Sequence, residues 1–123
     1  MKEVLNFIKE RVSLTQYGIL ITAFLSAGLV DFNVYSLAFG FLGLYLFFAN
    51  LRMMDDLKDA HKDVVANKER PIPRGAISAK TLSKAVNLSL VLMVVFAGSL
   101  YFYANLASLI YLFITGYVYL MYK

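Results

Sequence analysis

ANLRMMDDLKDAHKDVVANKERPIPRGAIS, from Ala49 to Ser78, separates two long apolar stretches and holds most of what is charged or rigid in this chain. Five of the eight acidic residues, six of the twelve basic ones, the single His and both prolines lie inside it. Before it, residues 35–49 are almost pure hydrocarbon; after it, so are residues 85–103. A helix needs about 17–25 apolar residues to cross a bilayer. Two further segments, 14–30 and 106–121, qualify or nearly qualify. The second span is expected to run on through Met53 and Met54 into the aspartates. The expected fold is all-α: a polytopic membrane helix bundle with four transmembrane helices, in a single membrane domain over residues 1–123 with a motif loop at about 50–80.

Composition agrees. The chain is 60% hydrophobic, well above the roughly 45–50% of soluble domains. It has no Cys, which removes disulfides, thiolate metal sites and cysteine nucleophiles. The net charge of +4 sits beside greasy helices, which points to lipid head groups or a phosphorylated substrate and away from nucleic acid. The first apolar run is too long for a cleavable signal and lacks a cleavage site.

Lys and Arg set the orientation. In a four-span topology the N-terminal flank, the central loop and the C-terminus share one side. They hold all twelve basic residues, and the other two turns, around Asp31–Asn33 and Ala104–Asn105, hold none. Both termini and the motif loop are therefore expected in the cytoplasm. Residues 2–11 mix Val4, Leu5, Phe7 and Ile8 with charges and read as an amphipathic helix at the membrane surface.

Within the central loop Asp56, Asp59 and Asp63 stand at i, i+3 and i+7, within about 60° of one another if the helix is continuous. Asp55 is displaced to the side, and Lys58 and Lys62 fall on a neighbouring face. Three carboxylates on one ridge repel unless a cation lies among them. Mg²⁺ takes hard oxygen donors and prefers one or two carboxylates together with phosphate oxygens. Such a run is ordinarily a solvated helix end with surface ion pairs. Here it continues out of a membrane span, where charge is costly. Seven residues after Asp63 begins Arg70-Pro71-Ile72-Pro73-Arg74-Gly75. Its prolines stiffen what reads as an extended segment, Gly75 allows a turn, and Ser78 or Thr81 can cap the next helix. Arg70 and Arg74 present forked donors suited to phosphate. His61 reads as solvated or packed between helices, and Met53–Met54 as packing. Asn50 and Asn87 each read as a hydrogen-bonding partner between helices, with contact to substrate as the alternative.

The pair of motifs resembles the UbiA superfamily of intramembrane prenyltransferases. Asp55-Asp56-Leu57-Lys58-Asp59-Ala60-His61-Lys62-Asp63 follows the family's N/D-D-x-x-D-x-x-x-D. Residues 70–78 follow its R-P-[LIV]-P-x-G-x-[IV]-[ST]. The resemblance implies Mg²⁺-dependent transfer of a prenyl group from an allylic isoprenoid diphosphate to a hydrophobic, often aromatic, acceptor within the bilayer. It implies that Asp56, Asp59 and Asp63 hold the metal and, with Arg70, form the catalytic set. Asp55, Lys58, Arg74 and Asn50 are the implied substrate contacts. The family has about nine spans and a second aspartate cluster, so this chain reads as the first half of that architecture, with the missing half or another chain as a partner. The alternatives are an inactive or partner-dependent four-helix membrane fragment and a CDP-alcohol phosphotransferase. The latter would need a glycine after the first aspartates, where Leu57 stands.

Overall fold

The computed structural model describes residues 1–28, 33–102 and 105–122. They form six helices: α1 (Lys2–Arg11), α2 (Leu14–Gly28), α3 (Val34–Lys58), α4 (Ala60–Ala66), α5 (Ala79–Tyr101) and α6 (Asn105–Tyr122). Three are long and apolar enough to cross a membrane, namely α3, α5 and α6. The first expected span is the shorter α2, whose 15 residues reach about 22 Å at 1.5 Å per residue. The chain is a helical membrane bundle. Of the expected turns, Asp31, Phe32 and Ala104 lie outside the described residues.

The helix ends are legible locally. Asn33 caps α3, its Oδ1 accepting from the Ser36 amide at 2.8 Å. Ser78 caps α5, its Oγ accepting from the Thr81 amide at 3.1 Å. As expected, α3 runs on past the apolar stretch through Met53 and Met54. The fifth helix starts at Ala79, six residues before the expected span, because the cap sits there rather than where hydrocarbon begins.

Side-chain ties fix the order of the bundle. Tyr17 and Phe24 of α2 pack on Phe48 of α3. Asn50 of α3, 2% exposed, donates through Nδ2 to the Val86 carbonyl of α5 at 3.2 Å and to the Ser89 hydroxyl. Seven residues earlier on α3, Gly43 meets Phe96 of α5, so the two helices run antiparallel. Ser108 of α6 donates to the Ala97 carbonyl of α5 at 2.6 Å, and Tyr111 donates to the Gly43 carbonyl at 2.9 Å. A polar side chain inside an apolar bundle needs such a partner, and the partner locks the register. Asn87, by contrast, is exposed on α5.

Gly43 is a point of close approach between α3 and α5. A Cβ there would stand 2.6 Å from Cε1 of Phe96, whose ring is itself wedged by Tyr111. Gly43→Val is expected to force α3 and α5 apart and cost about 1–3 kcal/mol. Melting of the purified protein in detergent checks this, and a variant as stable as wild type would refute the close approach.

At one end the elements converge. Phe7, Met53, Met54, Ile77, Leu82 and Val86 form a buried cluster, and Val118 and Tyr122 at the end of α6 pack against it. The N-terminal helix, the aspartates, the start of α5 and the end of α6 therefore share one end of the molecule. Between α2, α3, α5 and α6 lies an apolar cleft of about 850 Å³, with Gly40, Leu44, Phe96 and Tyr111 among its walls. Its α3 residue nearest the aspartates, Leu44, is twelve positions before Asp56, about 18 Å along the axis.

Candidate functional site

The aspartates do not sit on one uninterrupted helix. The third helix ends at Lys58, Asp59 adopts φ −89° and ψ 0°, and α4 begins at Ala60. The Asp59 amide keeps its helical bond to the Asp55 carbonyl at 3.0 Å and also reaches the Leu57 carbonyl, and the Asp63 amide bonds to the Asp59 carbonyl at 2.9 Å, so the two helices meet at a single turn residue. The expected ridge is thus divided, and its members meet different neighbours.

Asp56 is 2% exposed and faces α1. Arg11 grips it at two points, Nε to Oδ2 and Nη2 to Oδ1, each 2.9 Å. Arg52, one turn earlier on α3, brings its Nε to 3.7 Å of Oδ1, and that nitrogen is buried without a hydrogen bond. Arg11 is held in place by the short link that follows it. Only Val12 and Ser13 separate α1 from α2. Val12 is fully buried, and its carbonyl accepts the Tyr45 hydroxyl at 2.8 Å.

Asp63 is 3% exposed and faces the second motif. Its Oδ2 accepts Arg70 Nη1 at 2.6 Å and its Oδ1 accepts Asn67 Nδ2 at 2.8 Å. Burial alone would push the Asp63 carboxyl up. The hydrogen bonds from Asn67 and Arg70, with the charges of Arg70 and Arg11, outweigh it and hold the carboxyl below its ordinary 3.8. A depressed acid stabilises the fold above its ordinary value and loses that contribution as pH falls through its folded value. The link between α4 and the loop is therefore expected to hold at neutral pH and to weaken as pH falls below 3.8. Melting temperature against pH, with Asp63→Asn as the comparison, measures this. An equal acid slope in both proteins would refute it.

Of the three expected ridge aspartates, Asp59 is the least buried: its side chain is 43% exposed and lies 4.0 Å from Lys62. Asp55 and Lys58 are exposed and turn toward the end of α6, lining a small crevice with Val118 and Tyr122. His61 is exposed, as expected.

The RPIPRG segment is a compact run of turns rather than an extended strand. Its backbone folds back on itself, Arg74 amide to Arg70 carbonyl at 3.2 Å and Ala76 amide to Pro71 carbonyl at 2.9 Å. Gly75 closes it at φ +77°, a conformation that other residues rarely take. Pro71 and Ile77 are buried and anchor the loop. Arg70 and Arg74 project from it. Arg70 commits only Nη1 among the described residues, so Nε and Nη2 remain available. Arg74 makes a two-point contact with Glu10 of α1, at 2.9 Å and 2.5 Å.

Against the expectation of a three-carboxylate metal nest, this arrangement does not fit. Both oxygens of Asp56 and both of Asp63 are taken by protein donors. Among the described residues no three acids converge so as to hold a metal ion. The repulsion between the acids is relieved by guanidinium groups. Four residues outside the expected set belong to the site: Glu10, Arg11, Arg52 and Asn67. The last two stand four positions from an aspartate, a helical spacing that could have flagged them. Nothing local could have flagged the first two, which lie 64 and 45 positions from their partners.

The UbiA prenyltransferase family model matches residues 17–123. The chain belongs to the UbiA prenyltransferase family. No curated protein and no solved structure is a match for it. Membership carries prenyl transfer, isoprenoid substrates and a membrane setting at the level of the family. In this UbiA-family chain α1 precedes the matched region, so the helix that grips Asp56 and Arg74 lies outside what the family model covers.

Proposed function

We propose that this chain binds the diphosphate head of an allylic isoprenoid between its two motifs and takes part in transferring the prenyl group to a hydrophobic, often aromatic, acceptor in the bilayer. The single observation that carries the reading is the Asp63–Arg70 bridge. It joins the aspartate motif to the RPIPRG loop while leaving two Arg70 donors free for phosphate oxygens. Arg70 would meet the leaving diphosphate, with Arg74 and Lys58 adding charge. As the allylic C–O bond breaks, its electron pair leaves with the diphosphate. Fixed cations there lower the cost of that charge. The acceptor carbon then bonds to the allylic carbon and gives up a proton. An apolar bundle keeps water from the reacting carbon. The cleft at the far end of α3 is a place for an isoprenoid tail long enough to reach about 18 Å from the head.

Mg²⁺ dependence is part of the proposal for Asp56, Asp59 and Asp63. With the donor pattern described above, Asp56 and Asp63 must first give up protein partners. Asp55 is proposed to stand at the rim. Asn50 faces α5 and supports the site as a strut. A single membrane domain with four spans, related to the first half of a nine-helix fold, and a cytoplasmic placement of the motifs and both termini complete the proposal. They are supported by the segregation of Lys and Arg and by the convergence of α1, the motifs and the end of α6.

The test is binding and turnover of a labelled allylic diphosphate by the purified protein in lipid nanodiscs, with and without Mg²⁺. Saturable binding lost in Arg70→Gln supports the site, and alkylation of an acceptor with release of pyrophosphate supports catalysis. No binding under any condition would leave a non-enzymatic helical membrane protein.

A further inference from the structure

Glu10 and Arg11 are neighbours at the end of α1, and each occupies one of the two motifs. Arg11 lays a planar cation across both oxygens of Asp56. Glu10 lays an anion across both terminal nitrogens of Arg74. A positive group on the aspartates and a two-oxygen anion on the arginine are the charges that a cation-bound diphosphate would bring. We infer that the end of α1 is an internal stand-in for that ligand, a clasp that fills both motifs and is displaced when a diphosphate enters. The inference rests on the diphosphate reading above and explains why the carboxylates are saturated.

The two arms differ in depth, which sets the order of release. The Arg11–Asp56 arm is nearly closed to water, with the Asp56 side chain 3% exposed. The Glu10–Arg74 arm is open, 41% and 44% exposed, and such exposed pairs are weak. An arriving pyrophosphate group competes first for Arg74, with more charge and more oxygens than Glu10. Once Glu10 yields, the peptide bond it shares with Arg11 transmits the movement to the deeper arm. Phe7, buried with Met53 and Met54, keeps the rest of α1 docked meanwhile.

The experiment uses the full chain in nanodiscs, with inorganic pyrophosphate as the probe, alone and with Mg²⁺. Glu10 is exposed, so Glu10→Gln removes the anion without opening the core. The variant is expected to bind pyrophosphate about threefold to fivefold more tightly than wild type, the size of an exposed bridge removed from competition. In wild type, hydrogen exchange at the α1 amides is expected to rise when pyrophosphate and Mg²⁺ are added. Equal or weaker binding by Glu10→Gln, or α1 exchange unchanged by a ligand that does bind, overturns the clasp and leaves the diphosphate site standing. Pyrophosphate binding to neither protein overturns the diphosphate reading and the clasp with it.

Discussion

Arg70→Gln is expected to weaken pyrophosphate binding by about 10–100-fold, the worth of one charge-assisted contact to a phosphate group. Two losses combine in that number. Arg70 stands on one motif and its Nη1 holds Asp63 of the other in place, leaving its Nε and Nη2 uncommitted among the described residues. Glutamine can replace neither the charge nor the fork. Arg70→Lys separates the two roles. A lysine restores the charge toward Asp63 but presents a point donor, so it is expected to recover the melting temperature more than the affinity. Affinity by titration calorimetry and melting by fluorescence of a bound dye read the two separately. Wild-type affinity in Arg70→Gln would remove Arg70 from the site.

Asp56→Ala is expected to destabilise the folded chain by about 2–4 kcal/mol, somewhat below the usual cost of breaking a fully buried pair because Arg11 keeps partial access to water. The substitution strands Arg11 and leaves Arg52, whose Nε is already without a hydrogen bond, beside a second unpaired cation. The double replacement Arg11→Met with Asp56→Leu is expected to recover most of the loss, because hydrophobic replacement of both partners removes the desolvation cost along with the attraction. A double-mutant cycle on detergent-solubilised protein measures the coupling. Additive effects would show that the two-point contact contributes nothing. In the same Asp56→Ala protein, any strengthening of pyrophosphate binding by Mg²⁺ is expected to disappear.

These expectations meet at an unusual local chemistry. The end of the bundle holds buried carboxylates, and each buried one is met by an arginine from a different segment. The arginine on Asp63 comes from the RPIPRG loop, inside the matched residues. The arginine on Asp56 comes from a helix outside the matched residues. A site already satisfied by its own side chains tolerates burial without a ligand, at the cost of having to release those side chains when one arrives.

The apolar helices and the two motifs were legible in the order of residues alone. Hydropathy and capping act within a few residues, so Ser78 could be read as a start, and residues 2–11 as an amphipathic helix, from neighbours alone. The family was suggested by resemblance, because both motifs are local patterns of residue types. Which cation neutralises which aspartate was decided only by tertiary structure. Arg11 reaches Asp56 because α1 folds back on the end of the bundle, and Glu10 reaches Arg74 by the same docking. The break at Asp59 was hidden too, since the i, i+3, i+7 pattern assumes a straight helix and carries no information on where one bends. Coulomb attraction depends on distance in space, not on separation along the chain, and spacing in a sequence reports only the latter.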